Sequence, residues 1–439
     1  MHTLEALRRG ELAGITRLDL SEGLTEFPPE IFALADSLEV LNLSGNQLSS
    51  LPEDLPRLHK LRILFCSDNA FNEVPSILGD CPALEMVGFK ANRIHSLPAS
   101  ALPRKLRWLI LTDNRLEQLP AEIGQCERLQ KLMLAGNRLR SLPATLGNCQ
   151  QLELLRIAAN RLPDLPAWLL TMPRLSWLAF AGNPFSDAIE AEVLAQHPLP
   201  PITREHLVLG EVLGQGASGV IHRADWQPPA QAARAMAAKL FKGSLTSDGL
   251  PHSEMAACIA AGEHPNLIRI AGPLADREDA PPGLLMELID PAFKVLANPP
   301  SLASCTRDCY APQQRFDPEQ VLRIATSVAS AIGHLHERGI LHGDLYGHNL
   351  LVDPLGRTLL SDFGAASFHN PHGNEGRMLQ QLEARAFGYL LEELLERCDD
   401  SAHDPRLQRL SVLKQQCLRD IPAQRPDFTT LTLALQALV

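Results

Sequence analysis

Leucines return every 23 residues through the first half of this chain. Ile15, Leu38, Leu61, Leu84, Leu106, Leu129, Leu152 and Leu175 open successive units, one of them a residue shorter than the rest. Each unit reads L-x-x-L-x-L-x-x-N-x-L-x-x-L-P, with Asn46, Asn69, Asn92, Asn114, Asn137, Asn160 and Asn183 at the asparagine position. Leu-Pro or a related pair recurs from Phe27-Pro28 to Leu165-Pro166. A period of this length rules out an independent core for each unit, because no unit can bury its own apolar face; the units must stack. In L-x-L, successive leucines of a short strand face one interior. The asparagine can bond backbone groups where the chain turns, and proline ends helix formation and starts a returning segment.

This pattern resembles the leucine-rich repeat family, in eight units with a degenerate first (Gly23 replaces Asn) and a truncated last. The resemblance implies an α/β leucine-rich repeat solenoid over residues 1–197, caps included. Residues between the strand leucines project from its concave face, among them Phe65, Trp108, Ile110, Met133, Leu154 and Trp177. Large apolar groups on such a face mark a contact site. Phe65, Trp108, Met133 and Trp177 are therefore candidates to hold a protein substrate or regulator; the alternative is that the face packs on the chain's own second half. Ala188–Gln196 reads as a capping helix, and Pro198, Pro200 and Pro201 stiffen a linker over 198–204.

Composition narrows the function. A net charge of −11 argues against nucleic acid as partner. No apolar stretch reaches membrane-span length and the first residues carry no signal-peptide pattern. Nine cysteines without a CxxC pair point to reduced thiols, with Cys81, Cys126 and Cys149 at one repeat position suited to a small buried side chain. The expectation is a cytoplasmic protein, with secretion as an effector lacking a cleavable signal left open.

The second half concentrates phosphate chemistry. Gly214-Gln-Gly216-Ala-Ser-Gly219-Val220 is followed by strand-like residues, which favours a β-hairpin lid over a helix-opening dinucleotide site. Lys239 sits in an apolar strand and needs an anion, which Glu254 and phosphates would supply. Leu350–Val352 and Thr358–Leu360 flank Asp353-Pro-Leu-Gly356 as a hairpin, with Asp344, Asn349 and Asp362 at its ends. Their hard oxygens suit Mg²⁺ held against phosphate. Asp317-Pro318-Glu319 opens a helix whose apolar positions run from Val321 to Leu335. Residues 290–316 read as a polar, proline-rich loop on the hinge side.

The ordered series resembles the eukaryotic-type protein kinase family over residues 205–439, and implies an α+β two-lobed domain there. By matching motif, Gly214, Gly216 and Gly219 belong to the glycine-rich loop, and Lys239 grips phosphate with Glu254 as its helix partner. Val220, Ala237 and Leu351 sandwich adenine, Met286 is the gatekeeper, and Glu287 and Leu288 supply the hinge. Asp344 is the catalytic base, and Asn349 and Asp362 hold the metal, so ATP and Mg²⁺ are the implied cofactors. Glu383 replaces the aspartate of the large-lobe core helix, and Arg425-Pro426 matches the late arginine-proline motif.

Four departures from the family pattern follow. Gly343 stands where an arginine usually receives activation-loop phosphate, and Ser367 is the one hydroxyl residue between Asp362 and Glu383. Tyr346 replaces a lysine, leaving His348 to reach the γ-phosphate; loss of such a contact costs about 10²–10³ in rate. The Ala-Pro-Glu motif is missing, so Arg425 lacks its expected glutamate. His-Gly-Asp-Leu followed by asparagine also occurs in aminoglycoside and choline phosphotransferases. The expected function is a slow Ser/Thr protein kinase of bacterial type, partnered or controlled by its repeats. The alternatives are a pseudokinase scaffold and a small-molecule phosphotransferase.

Overall fold

The structure, a computed structural model, describes residues 2–216, 218–229, 231–243, 245–277, 280–399 and 403–438. The chain divides into two compact units, residues 1–174 and 175–439.

The first unit is the repeat array. Three-residue strands from Arg17–Asp19 to Leu154–Arg156 pair parallel and in register, so that Leu18, Leu41, Leu64, Val87, Leu109, Leu132 and Leu155 line up side by side in the interior. Short 3₁₀ turns such as Ala121–Gln125 and Ala144–Asn148 follow the prolines and form the returning side. From Asn46 to Asn160 each asparagine bonds its own turn and the preceding repeat. Asn137 donates to the carbonyls of Leu134 (2.9 Å) and Leu111 (2.8 Å), and its Oδ1 accepts the Leu116 N–H at 3.0 Å. A residue with positive φ precedes each one (Gly45, Asp68, Ala91, Asp113, Gly136, Ala159 and Gly182) and turns the amide inward. The repeat-position thiols of Cys81, Cys126 and Cys149 are buried, and burial pushes them up to about 11, 11 and 12. On the strands, Trp108 is half-buried, with the Lys131 ammonium 4.4 Å from its ring centroid and its indole N–H 3.4 Å from the Met133 sulfur. Phe65 is half-buried and Met133 buried.

The second unit starts inside the eighth repeat, with the strand Trp177–Ala179 and the helix Pro184–Gln196. That helix begins earlier than the Ala188 expected from sequence, because Asn183 and Ser186 close a capping box around Pro184. A five-stranded antiparallel sheet follows, in the order Ile270–Pro273, Gly283–Glu287, Arg234–Phe241, Gly219–Trp226, Leu207–Gln215, with the helix Pro251–Ala261 beside it. The larger lobe is helical. Its central helix, Pro318–Glu337, is capped reciprocally by Asp317 and Gln320 and buries Val321, Ile324, Ala325, Val328, Ile332 and Leu335 as their spacing predicts. It packs against Phe428–Gln436 and Asn374–Glu396.

Trp177 needs a correction as a candidate partner anchor. It is only 1% exposed, stacked on Tyr346 (ring centroids 4.2 Å apart, planes within 7°) and on Tyr389. A side chain so covered has no surface left for an outside protein.

Candidate active site

The hairpin read from sequence forms, Leu350 pairing with Leu360 and Val352 with Thr358. Tight backbone bonding fixes the two ends where the chemistry sits. The Ser361 N–H and hydroxyl both donate to the Asn349 carbonyl, at 3.0 and 2.9 Å. His342 ties the ends together: its Nε2 donates to the Ser361 carbonyl at 3.0 Å and its Nδ1 accepts the Asp344 N–H at 3.3 Å. The buried Asn349 turns its amide nitrogen toward Asp344, donating to the carboxylate Oδ2 at 2.8 Å and the backbone carbonyl at 2.9 Å. Asp362 is exposed, adopts φ +58° and accepts the Gly364 N–H at 3.1 Å in a local turn. This conformation is uncommon outside glycine and asparagine or aspartate, and here it lifts a carboxylate clear of the fold.

Lys239 and Glu254 are joined by an ion pair between the sheet and its helix. Burial works against the lysine's charge, but Glu254 and Asp362 hold its pKa above the ordinary value. The pair therefore has a third charged neighbour from the other lobe. Ala237 pairs with Met286 across the sheet, and both lie in one apolar cluster with Phe241 and Leu284, against which Leu288 packs. Val220, half-buried, lies on the neighbouring strand. Leu351 is half-buried on the hairpin, and Glu287 is exposed at its strand's end.

The three glycines of the loop differ. A Cβ at Gly219 would meet the Leu240 carbonyl at 2.4 Å, so this glycine is required for strand packing. At Gly214 and Gly216 a Cβ would meet nothing within 4 Å, and the Gly216 N–H closes the hairpin onto the Gly219 carbonyl at 2.9 Å. The space beside both glycines is open to a ligand. Ala217, in the middle of this motif, lies outside the described residues.

Sequence reasoning missed Asp308. The segment 290–316 starts beside the hinge, as expected, and its part around Asp308 reaches the loop that carries His348. Asp308, fully buried by its side chain, accepts the His348 N–H at 2.9 Å and the His348 ring at 2.7 Å. This leaves His348 Nε2 4.0 Å from Asp344 Oδ2. Burial disfavours the imidazolium, but Asp308 and Asp344 together raise its pKa. Nothing in the local pattern singles out Asp308 among the acids of a polar loop. Glu383 is a further buried acid of the site. Its carboxylate accepts the N–H groups of Gly343 (2.7 Å) and His342 (3.3 Å) and bonds the His336 ring at 2.7 Å.

Comparison with known proteins agrees with this geometry. The protein tyrosine and serine/threonine kinase family matches residues 207–386, and leucine-rich repeat families match 36–103 and 104–162. A probable serine/threonine-protein kinase of Arabidopsis thaliana is 28% identical over 110 residues, 25% of this chain and 17% of the relative. Fibroblast growth factor receptor 1 of Xenopus laevis is 26% identical over 194 residues, covering 42% of this chain and 24% of the receptor. A probable inactive serine/threonine-protein kinase of Dictyostelium discoideum is 36% identical over 122 residues, 26% of this chain and 5% of that protein. The chain thus spans less than a quarter of the length of each of these relatives.

Proposed function

This chain carries leucine-rich repeats followed by a protein kinase domain, and on that basis we propose that it transfers the γ-phosphoryl group of ATP to serine or threonine hydroxyls of a protein. The observation that supports this most is the assembled charge set: Lys239 paired with Glu254, Asp362 acting on that pair, and Asp344 held by Asn349. The donors fit the groups they would hold. Gly214 and Gly216 leave open space for phosphates, Lys239 offers a cation, and Asn349 and Asp362 offer hard oxygens for Mg²⁺. Bound Mg²⁺ supplies charge neutralisation on the phosphates.

The chain's own residues do the rest. Asp344 orients the substrate hydroxyl and accepts its proton, and the Asn349 amide keeps that carboxylate from rotating away. His348, raised toward its cationic form by Asp308 and Asp344, stands in for the lysine that Tyr346 replaces. The repeats recruit the protein through the half-buried Trp108 and Phe65, with Met133 beneath the indole.

The test is Mg²⁺-dependent transfer from ATP to a generic protein substrate, followed by identification of the phosphorylated residue type. Lys239→Ala and Asp362→Ala should each abolish transfer while leaving the fold intact. Wild-type rates in either variant would sink the assignment. A second reading, a pseudokinase scaffold, draws on the covering of Tyr346 by Trp177 beside Asp344. It requires that no transfer occur, with nucleotide bound or not.

A further inference from the structure

Three segments around the site are touched by one stretch of chain, Trp177–Glu190, which the repeat period assigns to the eighth repeat and its cap. The first is the catalytic loop. The Trp177 indole N–H donates to the Leu345 carbonyl at 2.9 Å while its ring lies flat on Tyr346. Gly343 shows how close the approach is: it has φ +73°, and a Cβ there would fall 2.7 Å from the Leu178 carbonyl and 2.5 Å from that of Ala365. Both obstacles are backbone, so no side chain fits at 343 with the repeat in place.

The second is the segment after Asp362. Ser367 is completely buried and its hydroxyl accepts the N–H groups of Phe180 (2.9 Å) and Ala181 (3.2 Å). Ser367 also pairs with Leu341 in a two-stranded ladder, so the bond reaches the chain just before the catalytic loop. The third is the helix that carries Glu254. The Ser253 hydroxyl donates to Glu190 on the cap helix at 3.2 Å, one residue from the partner of Lys239.

We infer that Trp177–Glu190 is a positioning brace of the phosphotransfer site, fixing the catalytic loop, the segment after Asp362 and the Glu254 helix relative to one another. The repeat strand thereby does with backbone bonds and one aromatic stack what a phosphate on a flexible loop would do with charge. Trp177 touches no reacting atom; it acts through Leu345 and Tyr346, next to Asp344. The inference rests on the proposed phosphotransfer, and its test therefore has a readout that does not depend on turnover.

The experiment uses the full chain as wild type, Trp177→Ala and Trp177→Phe. Hydrogen exchange is followed at residues 343–349, with residues 40–160 as an internal folding control, alongside kcat and KM for ATP. Loss of a stacked aromatic pair and an indole bond should speed exchange of 343–349 in W177A about tenfold and lower kcat by a similar factor, with KM within about twofold. W177F keeps a ring over Tyr346 and should recover part of both effects. Unchanged exchange in W177A would overturn the brace, as would a change in KM with kcat intact. If W177A loses the control protection as well, W177F carries the decision, on the same criteria. A wild type that transfers no phosphoryl group overturns the proposed activity instead, and the exchange measurement then decides the brace by itself.

Discussion

The Glu383 carboxylate accepts the Gly343 N–H at 2.7 Å across 40 residues of sequence. It is also bonded to His336 and to the His342 N–H, and it is completely buried. Burial alone would raise its pKa; the bonds from the His336 ring and the Gly343 N–H hold it below the usual glutamate range. Glu383→Gln puts an NH₂ group among donors that need acceptors. Each buried group so stranded costs about 1–3 kcal/mol. A melting temperature within error of wild type would show that the loop has another anchor.

On the proposed mechanism, Asp344→Asn preserves shape and removes the base. General-base catalysis is worth about 10²–10⁴ in rate, so kcat should fall by that range with KM for ATP little changed. Steady-state kinetics with a protein substrate decide it. A loss confined to KM would assign Asp344 to binding.

Asn160→Ala removes bonds to the Leu134 carbonyl (2.9 Å), the Ile157 carbonyl (3.1 Å) and the Leu139 N–H (3.0 Å), all buried between repeats. With several groups left unpaired, the loss should be about 2 kcal/mol or more. Because the array is stabilised collectively, the change should appear in the unfolding of the repeat unit. Denaturant titration of the full chain reads it.

His369 gives a pH dependence of defined sign. Burial, reinforced by His336, lowers its pKa from 6.5 to about 3, and its Nε2 lies 3.1 Å from the Gln380 amide nitrogen. The unfolded chain takes up this proton near pH 6.5 and the folded chain only near pH 3. The contribution to stability is therefore full above about 6.5 and is lost as pH falls through that window. His369→Asn should show a shallower loss of stability between pH 7 and 4 in urea titrations. Equal slopes would place the acid sensitivity elsewhere.

The motifs were legible where a residue type and a short spacing suffice. The hairpin between Leu350 and Leu360, the cap at Asp317 and the pairing of Lys239 with Glu254 all follow from local pattern and from the cost of an unpaired buried charge. Asp308 was not legible: its role comes from a loop whose path no periodicity records, and 40 residues separate it from His348. Ser367 read as a lone hydroxyl in a short loop, and the structure makes it an acceptor for two amides 186 and 187 residues away.

Sequence alone determined the stacking repeat, because a 23-residue period with buried leucines and prolines has no other way to bury its apolar faces. It also determined the order of the glycine-rich, lysine and acidic motifs, since each motif specifies its own backbone over a few residues. Only the tertiary structure decided what Trp177 and Gly343 are for. Their patterns read equally as an outward aromatic anchor and a missing arginine. The outcome was settled by van der Waals contact and a single indole hydrogen bond between segments 168 residues apart, which local spacing cannot encode.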